Sequence, residues 1–468
     1  MCEKNFAENL KEQLIFSPTN GSKKLSKDEI AAADSYCEDY KIFLNQGKTE
    51  RECAAFAKEL AIKNGFLPFD PEKKYSVGDK IFTVNREKAI ILAVIGKTPL
   101  DSGVHLAAAH IDSPRMDLKP NPLYEADEIA FFKTHYYGGI KKYQWTTIPL
   151  SLHGVVIKKD GTKVTVCIGE DDNDPQFCIT DLLPHLADAQ MKKPTAQAIS
   201  GEDLNIVIGS RYFNDESISD GVKLNVMHLL NEKYGFIESD FLSAELELVP
   251  AFKARDIGFD RSLIGSYGHD DRVCAYAALK AIFDAETPEY TCVTILTDKE
   301  ETGSEGNTGL NSSYLKYFLY DLADCFGVNA RKMLSNSVCL SADVNAAFDP
   351  TFSSVYEKNN ACKINYGAVI TKYTGARGKS STSDASAEFM YSIRSLLESK
   401  NVLWQTGELG KVDCGGGGTV AMYTANLNID VVDLGVPVLS MHAPWEIVSK
   451  IDAFMTYRAI LEFFNNSL

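Results

Sequence analysis

Helical periodicity dominates the start of the chain. Ser26 and Glu29 make a capping box, and Ile30, Ala33, Cys37 and Tyr40 then recur on one helical face. Thr49 and Glu52 make a second box, whose helix runs out at Gly65. Apolar runs at 80–85 and 88–95 flank Arg86-Glu87 and predict a hairpin. Residues 104–109 form a short, continuously apolar run, the pattern of a strand covered on both faces.

From about 120 to 245 the texture changes. Runs at 155–158 and 163–168 flank Asp160-Gly161, a good hairpin turn. Further strand-like runs lie at 128–132, 205–208 and 244–249, with few helical patterns between them. This segment reads as a β-rich domain inserted into the first one. After 250 the pattern alternates, with helix at 271–285, 309–321, 383–399 and 444–464 and strand at 291–296, 338–341 and 431–439. Such alternation predicts an α/β core with a largely parallel sheet.

Composition narrows the function classes. At 468 residues the chain exceeds one ordinary core, so two domains are expected. A net charge of -16 leaves no broad basic surface, which argues against a nucleic-acid partner. The 11 cysteines are odd in number and include no C-x-x-C pair, which speaks against a disulfide scaffold and a thiolate zinc site. The opening Met1–Phe6 shows no secretory pattern, and no run reaches the roughly 20 apolar residues of a membrane span. A reducing cytoplasm is the expected compartment.

In open α/β sheets, chemistry collects beyond the carboxyl ends of the strands. The run at 104–109 ends in His110-Ile111-Asp112, and the strand at 291–296 is followed by Asp298, Glu300 and Glu301. The strand at 338–341 leads to Asp343, and the run ending at Leu439 leads to His442. Singly, each is an ordinary structural residue, a solvated carboxylate or a helix cap. Together they are imidazole and carboxylate ligands of the kind that suit zinc, manganese or cobalt. His110 and Asp112 share one face of an extended segment, so Asp112 can fix the tautomer of His110. Glu300 and Glu301 diverge, which leaves one to bind metal and the other free as a base.

These residues resemble the ordered motifs of the aspartyl aminopeptidase family of dinuclear zinc exopeptidases. The motifs are His110-Ile-Asp-Ser-Pro-Arg115, Asp270-Asp-Arg272, Glu300-Glu-Thr-Gly303, Ser341-Ala-Asp343 and Met441-His442. The resemblance implies a three-layer core with a central, mostly parallel sheet, formed by 1–118 and 248–468. It also implies an inserted dimerisation domain at 119–247. It makes Asp270 the bridge between two metal ions, with His110 and Asp343 completing one site and Glu301 and His442 the other. Glu300 becomes the general base and Asp112 the support of His110, and a cis peptide is implied at Asp270-Asp271. From its sequence position alone, Asp270 reads as a helix N-cap. His269, Asp271 and the glycines Gly415 to Gly418 depart from the common family pattern and the run Ala443-Pro-Trp-Glu446 from that of eukaryotic members, which together point to a bacterial branch.

The implied activity is hydrolysis of the first peptide bond of short peptides by a two-metal-activated water. Zinc is the first choice of metal, with cobalt or manganese as alternatives. By the same resemblance Lys372, which lies in a basic stretch of an acidic chain, is the candidate pocket for an N-terminal Asp or Glu. By family resemblance the chain forms dimers that assemble into a tetrahedral dodecamer, and His185 of the insert is a candidate to reach a neighbour's site. Competing readings are a neutral aminopeptidase, a dinuclear deacylase, a metal-binding module and a catalytically inactive scaffold.

Overall fold

The computed structural model describes residues 6–214 and 218–468. The reading of the extreme N-terminus falls on Met1–Asn5, which lie outside the described residues.

The capping boxes at Ser26 and Thr49 are both formed and open the helices Lys27–Gln46 and Glu50–Lys63. A nine-stranded mixed sheet forms the centre of the chain. Its middle runs Thr291–Thr297, Val104–His110, Val338–Ser341 and Asp430–Gly435, each parallel to the next. Antiparallel neighbours flank this block, Ala89–Val94 on one side and Ala368–Thr371 on the other. The continuously apolar strands follow from burial on both faces. Ala107 and Ala109 join one core with the helices Lys27–Gln46, His269–Asp284 and Lys450–Asn465. Val104, Leu106 and Ala108 point the other way, into a core with the helix Tyr314–Phe326. Helices therefore cover both faces of the sheet, the three-layer arrangement that the resemblance implies, and the α/β core is the one the alternation predicts.

A second, seven-stranded sheet is wholly antiparallel and is built from strands between Arg115 and Pro250. It has its own core around Trp145, Phe132, Phe236 and Leu248. The strand Arg115–Ala126 leaves the central sheet almost directly after His110. A third sheet of five short strands includes Leu263–Ser266, Glu446–Ser449 and Pro437–Leu439.

Several predicted boundaries move. The inserted segment contains a helix, Gly221–Tyr234, between a left-handed Asp220 and a left-handed Gly235. The helix predicted at 309–321 begins only at Tyr314, because Asp298 bridges to Gly309 and holds the preceding loop open. The run at 431–439 breaks at Val436 into strands of two different sheets. The helix predicted at 444–464 is preceded by the strand Glu446–Ser449 and starts at Lys450, capped by Ser449. Short apolar runs such as Ile447-Val448 satisfy helix and strand patterns alike, and here pairing with Leu263–Ser266 decides. Among the described residues, no helix is long and apolar enough to cross a membrane.

Candidate metal centre and active site

The carboxyl ends of three neighbouring parallel strands supply most of the site. His110 is the last residue of its strand and stands opposite Thr297. The chain beyond Thr297 turns through Glu300–Thr302, which carries both glutamates. On the other side of the His110 strand, Val338–Ser341 leads to Asp343. His442 comes from the third sheet, in the loop between Pro437–Leu439 and Glu446–Ser449, with a left-handed φ of 64°. Asp270 opens the helix His269–Asp284 with non-helical φ and ψ, and the Asp270-Asp271 peptide is cis.

Asp270 is the meeting point. Its Oδ1 lies 3.2 Å from His110 Nε2, and its Oδ2 lies 3.1 Å from His442 Nε2. Glu301 Oε2 is 3.5 Å from His442 Nε2, while Glu300 Oε2 and Asp343 Oδ1 are each 3.9 Å from His110 Nε2. Two groups of metal-type ligand atoms result, each within 4.8 Å: His110, Asp271 and Asp343, and Asp270, Glu301 and His442. Of the sequence-predicted residues, His110, Asp112, Asp270, Glu300, Glu301, Asp343 and His442 are thus brought together.

Both imidazoles are oriented from behind. His110 Nδ1 donates to the Asp112 carbonyl at 3.1 Å and lies 3.3 Å from the Asp112 carboxylate. His442 Nδ1 donates to the carbonyl of Gly139 at 2.8 Å. Each ring therefore turns Nε2 toward Asp270, the arrangement by which a hydrogen bond at one nitrogen frees the other as a ligand. Asp112 does more than support His110. Its carboxylate accepts the backbone N–H groups of Glu300 at 3.1 Å and Glu301 at 3.2 Å, and the Tyr137 hydroxyl at 2.7 Å.

The electrostatics favour added cations. Burial first, then the neighbouring carboxylates, push Asp271, Glu301 and Asp343 well above the usual carboxylate range. Glu300 is pushed up to about 7 by burial, with Asp112 and Asp270 adding to it against the nearby His110. Burial works against charge on the histidines, yet Asp112 and Asp270 raise His110 well above its usual value. Asp270 and Glu301 likewise raise His442 to about 10. Glu301 Oε1 and Asp271 Oδ1 are buried with no hydrogen-bond partner. Unpaired buried carboxyl oxygens are costly, and oxygen with imidazole nitrogen is the donor set of zinc, manganese and cobalt. The residues fit divalent metal ions.

Sequence reading missed the residues that act from behind. Glu446 accepts the backbone N–H of Asp270 at 3.0 Å and of His442 at 2.7 Å. Gly139 and Tyr137 reach the site from the antiparallel sheet, and Asp271 holds the His110 N–H at 3.4 Å. The doublet Gly138-Gly139 was the available signal, but nothing local says what it faces. Two predicted residues do not join the cluster within this chain. His185 is exposed on the turn Pro184–Leu186. Lys372 follows the strand Ala368–Thr371, and its ammonium is paired with Asp384 at 2.5 Å. Close packing explains two of the four glycines, since a Cβ on Gly415 would meet the Leu409 carbonyl oxygen at 1.9 Å and one on Gly416 the Gly375 carbonyl oxygen at 2.1 Å, whereas Gly417 and Gly418 have room for one.

A doubly covered α/β sheet with paired ligand groups at its carboxyl edge fits a metal-dependent hydrolase. The model of the M18 family, the aminopeptidase I zinc metalloproteases, matches residues 43–464, and the chain belongs to that family. It is a metallo-aminopeptidase. A probable M18 family aminopeptidase 1 of Clostridium acetobutylicum is 50% identical over 451 residues, covering 95% of this chain and 96% of the relative. The crystal structure of an M18 aminopeptidase from Thermotoga maritima superposes with a TM-score of 0.92 at 43% identity, covering 97% of this chain and 100% of that one. The S. cerevisiae mApe1 dodecamer shares the fold at 20% identity and a TM-score of 0.75, over 93% of this chain and 97% of its own.

Proposed function

We propose that the chain releases the N-terminal residue of short peptides with two divalent ions, zinc in the first place and cobalt or manganese as alternatives. His110 and Asp343 hold one ion, Glu301 and His442 hold the other, and Asp270 is shared between them. The observation that carries the reading is the Asp270 carboxylate, whose two oxygens lie 3.2 and 3.1 Å from the facing Nε2 atoms of His110 and His442. Ions at such a site supply Lewis acidity toward the scissile carbonyl and lower the pKa of a nearby water.

Glu300 is the general base. It stands 3.9 Å from His110 Nε2 and is outside both ligand groups, so its carboxylate is free to take a proton from the attacking water and return it to the leaving amine. Asp112 positions this base by gripping the backbone of Glu300 and Glu301 and keeping the tautomer of His110.

For substrate choice, Lys372 is the residue proposed to receive an N-terminal Asp or Glu side chain. A specific observation favours a second reading, a neutral aminopeptidase: Asp384 pairs with both Lys372 and Lys379 and so offsets the local positive charge. In assembly, 119–247 is proposed as a dimerisation domain inserted between 1–118 and 248–468, with dimers joining into a tetrahedral dodecamer. The fold shared with the yeast dodecamer supports this, and His185, exposed on the insert, is proposed to face a neighbouring subunit. The proposed compartment is the cytoplasm, supported by free cysteines throughout the described residues.

The test is amino-acid release from a panel of dipeptides and N-blocked analogues, before and after chelation. Cleavage confined to free N-termini, lost on chelation and restored by zinc, cobalt or manganese, is the expected result. Glu300→Gln should abolish turnover while keeping the bound metal. Hydrolysis of N-acyl analogues in preference to free peptides would replace the reading with a deacylase.

A further inference from the structure

His153 and Cys167 stand directly opposite each other on the antiparallel strands Leu150–Ile157 and Lys163–Ile168, so their side chains share one face of the sheet. Glu52, in the first turn of the helix Glu50–Lys63, reaches this face from the other side of the junction. Its Oε1 lies 2.7 Å from His153 Nδ1. The imidazole nitrogen, the carboxylate oxygen and the Cys167 thiol all lie within 4.8 Å of one another. The far side of the ring is engaged separately, since Nε2 lies 3.0 Å from the Ser151 hydroxyl and 3.2 Å from Glu170 Oε1.

We propose that Glu52, His153 and Cys167 form a further divalent-metal site, of the kind that takes zinc, at the junction between the helix Glu50–Lys63 and the antiparallel sheet. The donor set is one thiolate, one imidazole and one carboxylate, all common zinc ligands. A carboxylate on the second nitrogen is what a ligating histidine usually has, and Glu170 supplies it here. Tetrahedral zinc ligands of these types stand roughly 3.3–3.6 Å apart, so the Glu52–His153 contact of 2.7 Å has to open by roughly 0.6–0.9 Å. His153 is buried while Cys167 is exposed, and a cavity of about 280 Å³ lined by Thr49, Gly154 and Thr165 reaches Glu52.

The charges balance with or without the ion. Without it, Glu52 and Glu170 are offset by Lys48, 2.9 Å from Glu170, and by protonated His153. Burial opposes that proton, but Cys167, Glu170 and Glu52 hold it and raise His153 well above its usual value. A divalent ion takes the place of this proton and the thiol proton, leaving neutral imidazole and thiolate at unchanged net charge. Lys48 pairs with Glu170 and also donates to the carbonyls of Pro250 and Phe252, so it leaves the centre between Glu52, His153 and Cys167 free. The absence of a C-x-x-C pair argued against any thiolate site, and strand register provides what local spacing does not.

The test uses the full chain loaded with Co²⁺, because a thiolate ligand gives a near-ultraviolet charge-transfer band that carboxylate and imidazole ligands do not. The expected result is such a band in the unaltered enzyme and its loss in Cys167→Ser, an exposed position at which folding and peptide turnover should be retained. Glu52→Gln keeps an acceptor for the capping box but removes the charge, and should raise the Co²⁺ concentration for half-saturation of the band by about tenfold or more. No band at saturating Co²⁺, or a band that persists in Cys167→Ser, overturns the proposal. Turnover measured on the same samples reports separately on the catalytic centre.

Discussion

The carbonyl oxygen of Gly139 accepts the Nδ1–H of His442 at 2.8 Å, across 303 positions of sequence. The loop that makes this contact follows the strand Ile129–Tyr137 of the antiparallel sheet, and the same strand sends the Tyr137 hydroxyl to Asp112. The antiparallel sheet therefore orients groups at the site as well as packing beside it.

Gly138 tests this dependence. It has a φ of +77°, and a Cβ there would lie 3.2 Å from Glu301 Oε2 and 3.3 Å from Pro114. Gly138→Ala should cost about 1 kcal/mol of stability through the left-handed backbone. Pressure on Glu301 should in addition lower metal affinity by roughly tenfold, as is common when a metal-site neighbour is disturbed. Metal titration beside thermal unfolding separates the two effects, and unchanged metal affinity would count against the contact.

Glu446 holds two of the proposed ligands by their backbones, Asp270 at 3.0 Å and His442 at 2.7 Å. In Glu446→Gln the amide nitrogen must face one of these N–H donors. The expected outcome is a 10–100-fold loss of metal affinity or turnover, with excess metal restoring part of the activity. Full activity at limiting metal would show that the two backbones hold their places without it.

His269, beside the proposed ligand Asp270, has a structural role. The ring is buried, and burial lowers its pKa to about 3, so it is neutral. Its Nδ1 accepts the Tyr40 hydroxyl at 2.8 Å, and its Nε2 donates to the Ile264 carbonyl at 3.1 Å. His269→Leu leaves both partners buried and unpaired, for an expected loss of about 1–3 kcal/mol in denaturant unfolding. Tyr40→Phe combined with His269→Leu should lose less than the separate effects added together, because the pair shares one hydrogen bond.

Asp256 gives a pH prediction. Burial acts to raise its pKa, but Lys41, Arg261 and Lys450 outweigh that and hold it at about 2. Its folded value lies below the unfolded value of about 3.9. The stabilisation is therefore present above that unfolded value and is lost as pH falls through about 2. Asp256→Asn should lower the melting temperature at neutral pH and flatten its acid-side decline. Parallel curves for the two proteins down to that pH would refute the assignment.

Much of the site was legible because it lies where regular strands end. His110, Glu300, Glu301 and Asp343 each follow an apolar run, and the run marks both the strand and its carboxyl edge. Asp270 was not legible on that basis, since an aspartate opening a helix is usually a cap, and only resemblance to a family singled it out. Glu446 and Tyr137 left no signal and the Gly138-Gly139 doublet only an ambiguous one, because each acts through hydrogen bonds that local sequence does not reveal. The helix Gly221–Tyr234 escaped notice because much of it lies partly exposed against the antiparallel sheet and lacks a strong apolar stripe.

The sequence by itself determined which segments are strands buried on both faces, where the two helices opened by capping boxes begin, and which ligand types wait at the strand ends. These are local properties, set by backbone period and by capping side chains within a few residues. The tertiary structure decided that the strand Val104–His110 lies between Thr291–Thr297 and Val338–Ser341, neighbours more than a hundred residues away. That order brings the carboxylates of Glu300, Glu301 and Asp343 around His110 and Asp270 and turns both imidazoles inward. The physical reason is that ligand identity is written residue by residue, whereas convergence depends on sheet order and strand register, which the whole core selects at once.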